Sequence, residues 1–139
     1  MLTKTKIENY TNCLNIPLNI ERYKRALFII INNDNTKKLQ VCFTKADGST
    51  RYLIGDIKNR IKYLDKDSGT FVYSKNNSML GLRKNLKQNN ILQVFDQEKN
   101  AYRCIKIEKI KYIKKHKTRY QVKEYTNFGG ETFYIITKL

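Results

Sequence analysis

Between Arg103 and Lys123 the chain carries Arg103, Lys106, Lys109, Lys111, Lys114, Lys115, Lys117, Arg119 and Lys123, with Glu108 as the one acid among them. Cations this dense suit phosphate. Each one set against a backbone phosphate releases counterions, and the affinity becomes steeply salt-dependent. Ile110 and Tyr112 alternate with Lys109 and Lys111, so on a strand these lysines, with Lys115, turn away from an apolar underside. Tyr112 and Tyr120 interleave with the charge and offer ring faces for base stacking. The residues expected to bind nucleic acid are therefore Lys106, Lys109, Lys111, Tyr112, Lys114, Lys115, Lys117 and Arg119, with Lys45 and Arg51 as further candidates. Lys is a point charge and Arg the better bidentate reader, so the pattern points to backbone contact rather than base readout. A solvated strand edge, where lysines block edge-to-edge pairing, would carry the same pattern.

Other chemistry is sparse. Asp96 and Glu98 lie in a polar turn beside Lys99, without the metal-ligand cluster or second acid motif that a catalytic carboxylate pair would need. The lone histidine, His116, sits among Lys114, Lys115 and Lys117 and reads as exposed. Cys13, Cys42 and Cys104 are odd in number and widely spaced, which indicates neither a disulfide framework nor a zinc site. Cys42 and Cys104 fall within strands and read as small buried hydrophobes. No P-loop, G-x-G-x-x-G, H-E-x-x-H or nucleophile elbow occurs, and the sequons at Asn9 and Asn76 mean nothing without secretion. The expectation is a protein that is not an enzyme, with no cofactor, no metal and no catalytic residue.

The elements that position the stripe are short strands. Leu39, Val41 and Phe43 alternate with more polar neighbours, Ala46-Asp47-Gly48-Ser49 supplies a tight turn, and Arg51-Tyr52-Leu53-Ile54 leads out. Residues 91–95 and 101–107 form a second hairpin around a polar turn. Residues 120–125 and 132–136 form a third around Asn127-Phe128-Gly129-Gly130. The apolar parity shifts after Ile107, which predicts a turn or bulge at Glu108-Lys109. Between the first two hairpins, Ile57, Ile61 and Leu64 suit a short helix starting near Asp56, residues 70–73 a strand, and residues 78–88 a helix. Residues 1–25 read as an arm or lead-in, with Asn19 able to cap a turn through Tyr23. Regular structure starts at Ala26, before a turn cluster that begins at Asn32.

Two stretches carry a family resemblance: Val41-Cys42-Phe43-Thr44-Lys45-Ala46-Asp47-Gly48-Ser49-Thr50-Arg51, and Ile91-Leu92-Gln93-Val94-Phe95-Asp96-Gln97-Glu98-Lys99-Asn100-Ala101-Tyr102-Arg103. Together they resemble the phage-associated, WYL-related family with an Sm-like SH3 β-barrel fold. Its members pair an "xFTKKDGTxR" hairpin with a later "xxVxDxExxxWR" hairpin and an apolar strand. Lys45, Asp47, Gly48, Arg51, Val94, Asp96, Glu98 and Arg103 fall on the pattern, and Tyr102 stands where Trp is common. The resemblance covers residues 39–55 and 91–114. It implies a bacteriophage or similar viral source, and it speaks to fold and origin far more than to mechanism.

The expected architecture is mainly β (α+β): a small SH3-like or Sm-like barrel with a partly helical insertion and an extra C-terminal β-hairpin. One domain spans residues 1–139, with the barrel core at 26–116, the insertion at about 56–90 and the last hairpin at 117–139. The 139 residues carry 28 Lys and Arg against 12 Asp and Glu, a formal net charge of +16. Lys, Asn, Ile and Tyr, all encoded by A/T-rich codons, approach half the chain, so part of this basicity reflects genome composition. The longest apolar run, residues 26–31, is far short of the ~20 residues a membrane span needs. The expected function is that of a small basic phage accessory protein in the host cytoplasm, binding DNA or RNA mainly through backbone phosphates. The alternative is a virus-encoded interaction protein that occupies an acidic host protein and inhibits or redirects it.

Overall fold

The computed structural model describes residues 13–32, 36–58, 62–73 and 78–139. Ile61, Asn9, Asn76 and part of the expected turn cluster (residues 33–35) lie outside them. Helix α1 spans Ile20–Ile31. The Asn19 side chain accepts the Arg22 N–H at 2.9 Å, satisfying one of the amides that a helix start leaves unpaired. Tyr23, Ala26, Leu27, Ile30 and Ile31 recur at helical spacing and are all buried. Residues 26–31 are thus the second half of a helix, and the expected boundary at residue 25 falls inside it. The unbroken apolar run hid a period that begins at Tyr23.

Seven strands follow in one antiparallel sheet: β1 (Lys38–Thr44), β2 (Thr50–Asp56), β5 (Ile91–Asp96), β6 (Ala101–Lys106), β7 (Ile110–Lys115), β8 (Thr118–Thr126) and β9 (Thr132–Lys138). Their order is β6-β5-β2-β1-β7-β8-β9. The sheet is not closed: among the described residues no ladder joins β6 to β9. The β9 edge is covered instead by the lead-in, since Leu18 exchanges 2.8 Å hydrogen bonds with Tyr134 and the Asn15 N–H donates to the Ile136 carbonyl. Between β2 and β5 lie a ribbon, β3 (Lys62–Leu64) with β4 (Phe71–Tyr73), and helix α2 (Ser78–Asn89).

Among the described residues the short helix expected near Asp56 is not present. Strand β2 runs through Asp56, and Ile57 continues it by donating to the Lys37 carbonyl at 2.7 Å. Ile57 is buried while Leu64 is exposed, so the two do not share one apolar face. The other expected elements are present, with the helix at Ser78–Asn89 and a strand at Phe71–Tyr73. Among the described residues no helix is long and apolar enough to cross a membrane.

The helices cover one face of the sheet. Leu82 and Leu86 of α2 join the α1 stripe over Leu39, Val41, Leu53, Leu92, Ile105 and Ile113. Tyr23 stacks on Tyr134 at 4.2 Å and donates its hydroxyl to the Ile107 carbonyl at 2.7 Å. Burial pushes its phenol well above the ordinary range. In the first hairpin Gly48 takes φ +87°, and the Asp47 carboxylate accepts the Ser49 hydroxyl at 2.6 Å and its N–H at 2.9 Å. Those hydrogen bonds hold the Asp47 carboxyl below its usual value.

One corner joins the two motif hairpins. Strands β2 and β5 pair only through Gly55↔Asp96 and Asp56↔Phe95. Gly55 is required there, because a Cβ would lie 2.6 Å from the Phe95 carbonyl oxygen. Beside it the Asp96 side chain is 2% exposed and meets Arg51 Nη2 at 3.3 Å and Arg103 Nε at 3.7 Å. Its other oxygen accepts the Glu98 and Lys99 N–H groups at 3.1 and 3.3 Å. Asp96 shapes the turn, as expected, and also anchors both hairpins. Arg51, a candidate for the basic surface, is drawn toward Asp96.

Two substitutions test this corner, with Gly48→Ala in the first hairpin turn as the comparison. In urea, Gly55→Ala loses about 1–3 kcal/mol through the backbone clash. Gly48→Ala, which meets no neighbour, loses about 1–2 kcal/mol from its positive φ alone. Asp96→Asn leaves two guanidinium groups without their carboxylate and costs about 2 kcal/mol, which a wild-type midpoint would contradict.

Candidate nucleic-acid interface

The basic stripe is built on β7, and its parity is set by a bulge. At Glu108-Lys109 the chain makes a single 3-10 turn, Ile107–Lys109. The register between β1 and β7 then shifts: Cys42 faces Tyr112, but Phe43 faces Ile110. Lys111 is the extra residue of a two-against-one bulge, so Ile110 and Ile113 both reach the core while Lys111 and Lys114 stay outside. Simple alternation from Ile110 placed Lys115 outside. Beyond the bulge it shares the inner row with Leu39 and is only 2% exposed, so it does not belong to the surface. Tyr120, expected to stack on bases, is likewise buried among the inner residues of β8.

Directly opposed residues of antiparallel strands share a face. One outer row therefore reads Ile54, Gln40, Lys114, Arg119, and the next reads Tyr52, Cys42, Tyr112, Gln121. Lys111 extends from the same side to donate to the Thr50 hydroxyl at 3.5 Å. Of the expected site residues, the structure gathers Lys111, Tyr112, Lys114 and Arg119 on this face. Lys109 borders a neighbouring depression of about 410 Å³ that also holds Glu108 and Glu124, which offset its charge. Lys106 belongs to β6, Lys117 to the β7–β8 turn beside the exposed His116, and Lys45 to the first hairpin.

A cleft of about 310 Å³ lies across the two rows, lined by Gln40, Cys42, Tyr52, Tyr112, Lys114, Arg119 and Leu139. Lys114 and Arg119 have no carboxylate within ion-pair distance among the described residues. Tyr112 accepts a hydrogen bond from the Gln121 amide at 3.2 Å. Tyr52 is hydrogen-bonded with the Cys42 thiol, which raises its phenol above the ordinary value, while the charge of Arg119 opposes the rise. Reasoning along the chain missed Tyr52, Ile54 and Gln40. The available signal was the triplet Tyr52-Leu53-Ile54, which is apolar on both faces of one strand. Cys42 is buried as expected, whereas Cys104, on edge strand β6, is exposed.

A family model described as WYL_2, Sm-like SH3 beta-barrel fold, matches residues 31–111. The match takes in both motif hairpins, the insertion between them and the start of β7, and leaves out the β8–β9 hairpin. No curated protein and no solved structure matches the chain. With more than half its length matched, including the corner where Asp96 meets Arg51 and Arg103, the chain belongs to the WYL_2 family of Sm-like SH3 β-barrel fold.

Proposed function

We propose that this protein is a small accessory protein of phage origin that binds nucleic acid through backbone phosphates on the outer face of β1, β7 and β8. The observation that carries the reading is the cross-strand pair Lys114↔Arg119, set beside Lys111 on a face whose cleft holds no Asp or Glu side chain among the described residues. Two adjacent cations without acidic partners keep their hydration and their charge available for phosphate, and a net +16 speeds the encounter. The A/T-biased composition supports the phage origin.

A second reading, occupation of an acidic host protein, is favoured by the groove between the helices. This groove of about 190 Å³ sets Arg25, Arg83 and Lys87 around Phe28 and Leu86. Its one acid, Glu21, is already paired with Lys24 at 3.1 Å. Material recovered with the tagged protein separates the readings: a stoichiometric protein that survives nuclease treatment supports the second, and nuclease-sensitive recovery the first.

Salt titration tests the first reading directly. Lys114→Glu with Arg119→Glu should weaken binding and flatten the log–log salt dependence on duplex DNA by about 0.9 per lost phosphate contact. Arg22→Glu with Lys84→Glu makes the same change in net charge on the helix side and should leave the slope near wild type. Equal effects from both pairs would reduce the face to part of a diffuse field.

A further inference from the structure

Strand β2 presents two large apolar side chains outward: Tyr52 is 66% exposed and Ile54 61%. The solvent face of a strand is ordinarily polar, and apolar surface left in water forgoes the gain of burial. Both side chains lie on the same face as the Lys114 and Arg119 pair.

Tyr52 and Tyr112 flank Cys42 in one cross-strand row, so their backbones stand two strand spacings apart, roughly 10 Å. The residue between them is small, which leaves the cleft open where a larger side chain would fill it. The Tyr112 hydroxyl is tethered by the Gln121 amide at 3.2 Å, so that ring is held in place before any ligand arrives. Gln40 adds an amide, a donor and an acceptor together, at the cleft wall.

We infer that this cleft takes an unpaired base of a single-stranded nucleic acid, stacked on Tyr52 and Tyr112, with the flanking phosphates on Lys114 and Arg119. The inference rests on the nucleic-acid reading above and adds strand selectivity to it. Base faces are covered by their neighbours in a duplex and free in a single strand, and every base has a face to stack. A phosphate chain without bases engages the cations and leaves the tyrosines unused.

The test compares three probes at one low salt concentration: an oligothymidylate, the same strand annealed to its complement, and inorganic polyphosphate. Wild type binds the single strand most tightly. Tyr52→Ala weakens single-strand binding about tenfold, with duplex and polyphosphate affinities held within about twofold. Tyr52→Phe, which keeps the ring, stays near wild type. A 4-thiothymidine strand crosslinked by light to the wild-type protein marks a peptide containing Tyr52 or Tyr112, a readout independent of how the variants fold. Unchanged single-strand affinity in Tyr52→Ala, equal loss on all three probes, or crosslinks confined elsewhere would overturn the inference. Retained wild-type binding to duplex and polyphosphate would then leave the backbone reading standing, whereas no binding to any probe would end both.

Discussion

The buried carboxylate of Asp96 is the interaction on which the sheet depends. Strands β2 and β5 share only two register pairs, far too few to fix how the second motif hairpin sits against the first. Asp96 supplies the missing constraint by taking a guanidinium from each hairpin on one oxygen and two turn amides on the other. A carboxylate removed from water is costly unless its lone pairs are filled, so the three hydrogen bonds from Arg51, Glu98 and Lys99 that satisfy it also aim it, with the Arg103 charge nearby at 3.7 Å. Gly55 lets the backbones approach at that point. On the inner side of this sheet α1 and α2 complete the core.

The outer side takes its chemistry from strand register and from one extra residue. Inward positions of β1, β2 and β7 are filled by Val41, Leu53 and Ile113, which leaves the outward rows to carry whatever the surface requires. The bulge at Lys111 sends Lys114 outward and Lys115 inward. A strand without the bulge would present the opposite lysine. Charge on this face is therefore selected by backbone register, and a count of lysines along the chain overstates it.

Arginine use divides by role more cleanly than lysine use. Arg51 and Arg103 both meet Asp96, each through a single nitrogen on the same carboxylate oxygen. Arg119 stands opposite Lys114 on the outer face. Arg22, Arg25 and Arg83 are exposed on the helices, and Arg83 lies 5.8 Å over the Phe28 ring. The two arginines that meet Asp96 are thus distinct from Arg119 on the outer face, which lets the anchoring corner persist whatever that face binds.

The hairpins were legible in the sequence because their chemistry is local. Asp47-Gly48 and Asn127-Phe128-Gly129-Gly130 encode their turns within a few residues, and the Asn19 cap acts over three. The family motifs were legible as well, together with a mainly β class and a helix before β5. Three features were not. Asp96 finds Arg51 45 residues away, Tyr52 joins Tyr112 only because β1 lies between them, and Lys115 is buried by a register shift against a distant strand. Turn preference is a property of neighbouring residues, so the sequence alone determined the turns of the three hairpins and the strands that flank them. Which strands lie side by side, and in what register, is decided by pairing energies between distant segments. Only the tertiary structure could therefore say which lysines and tyrosines share a face.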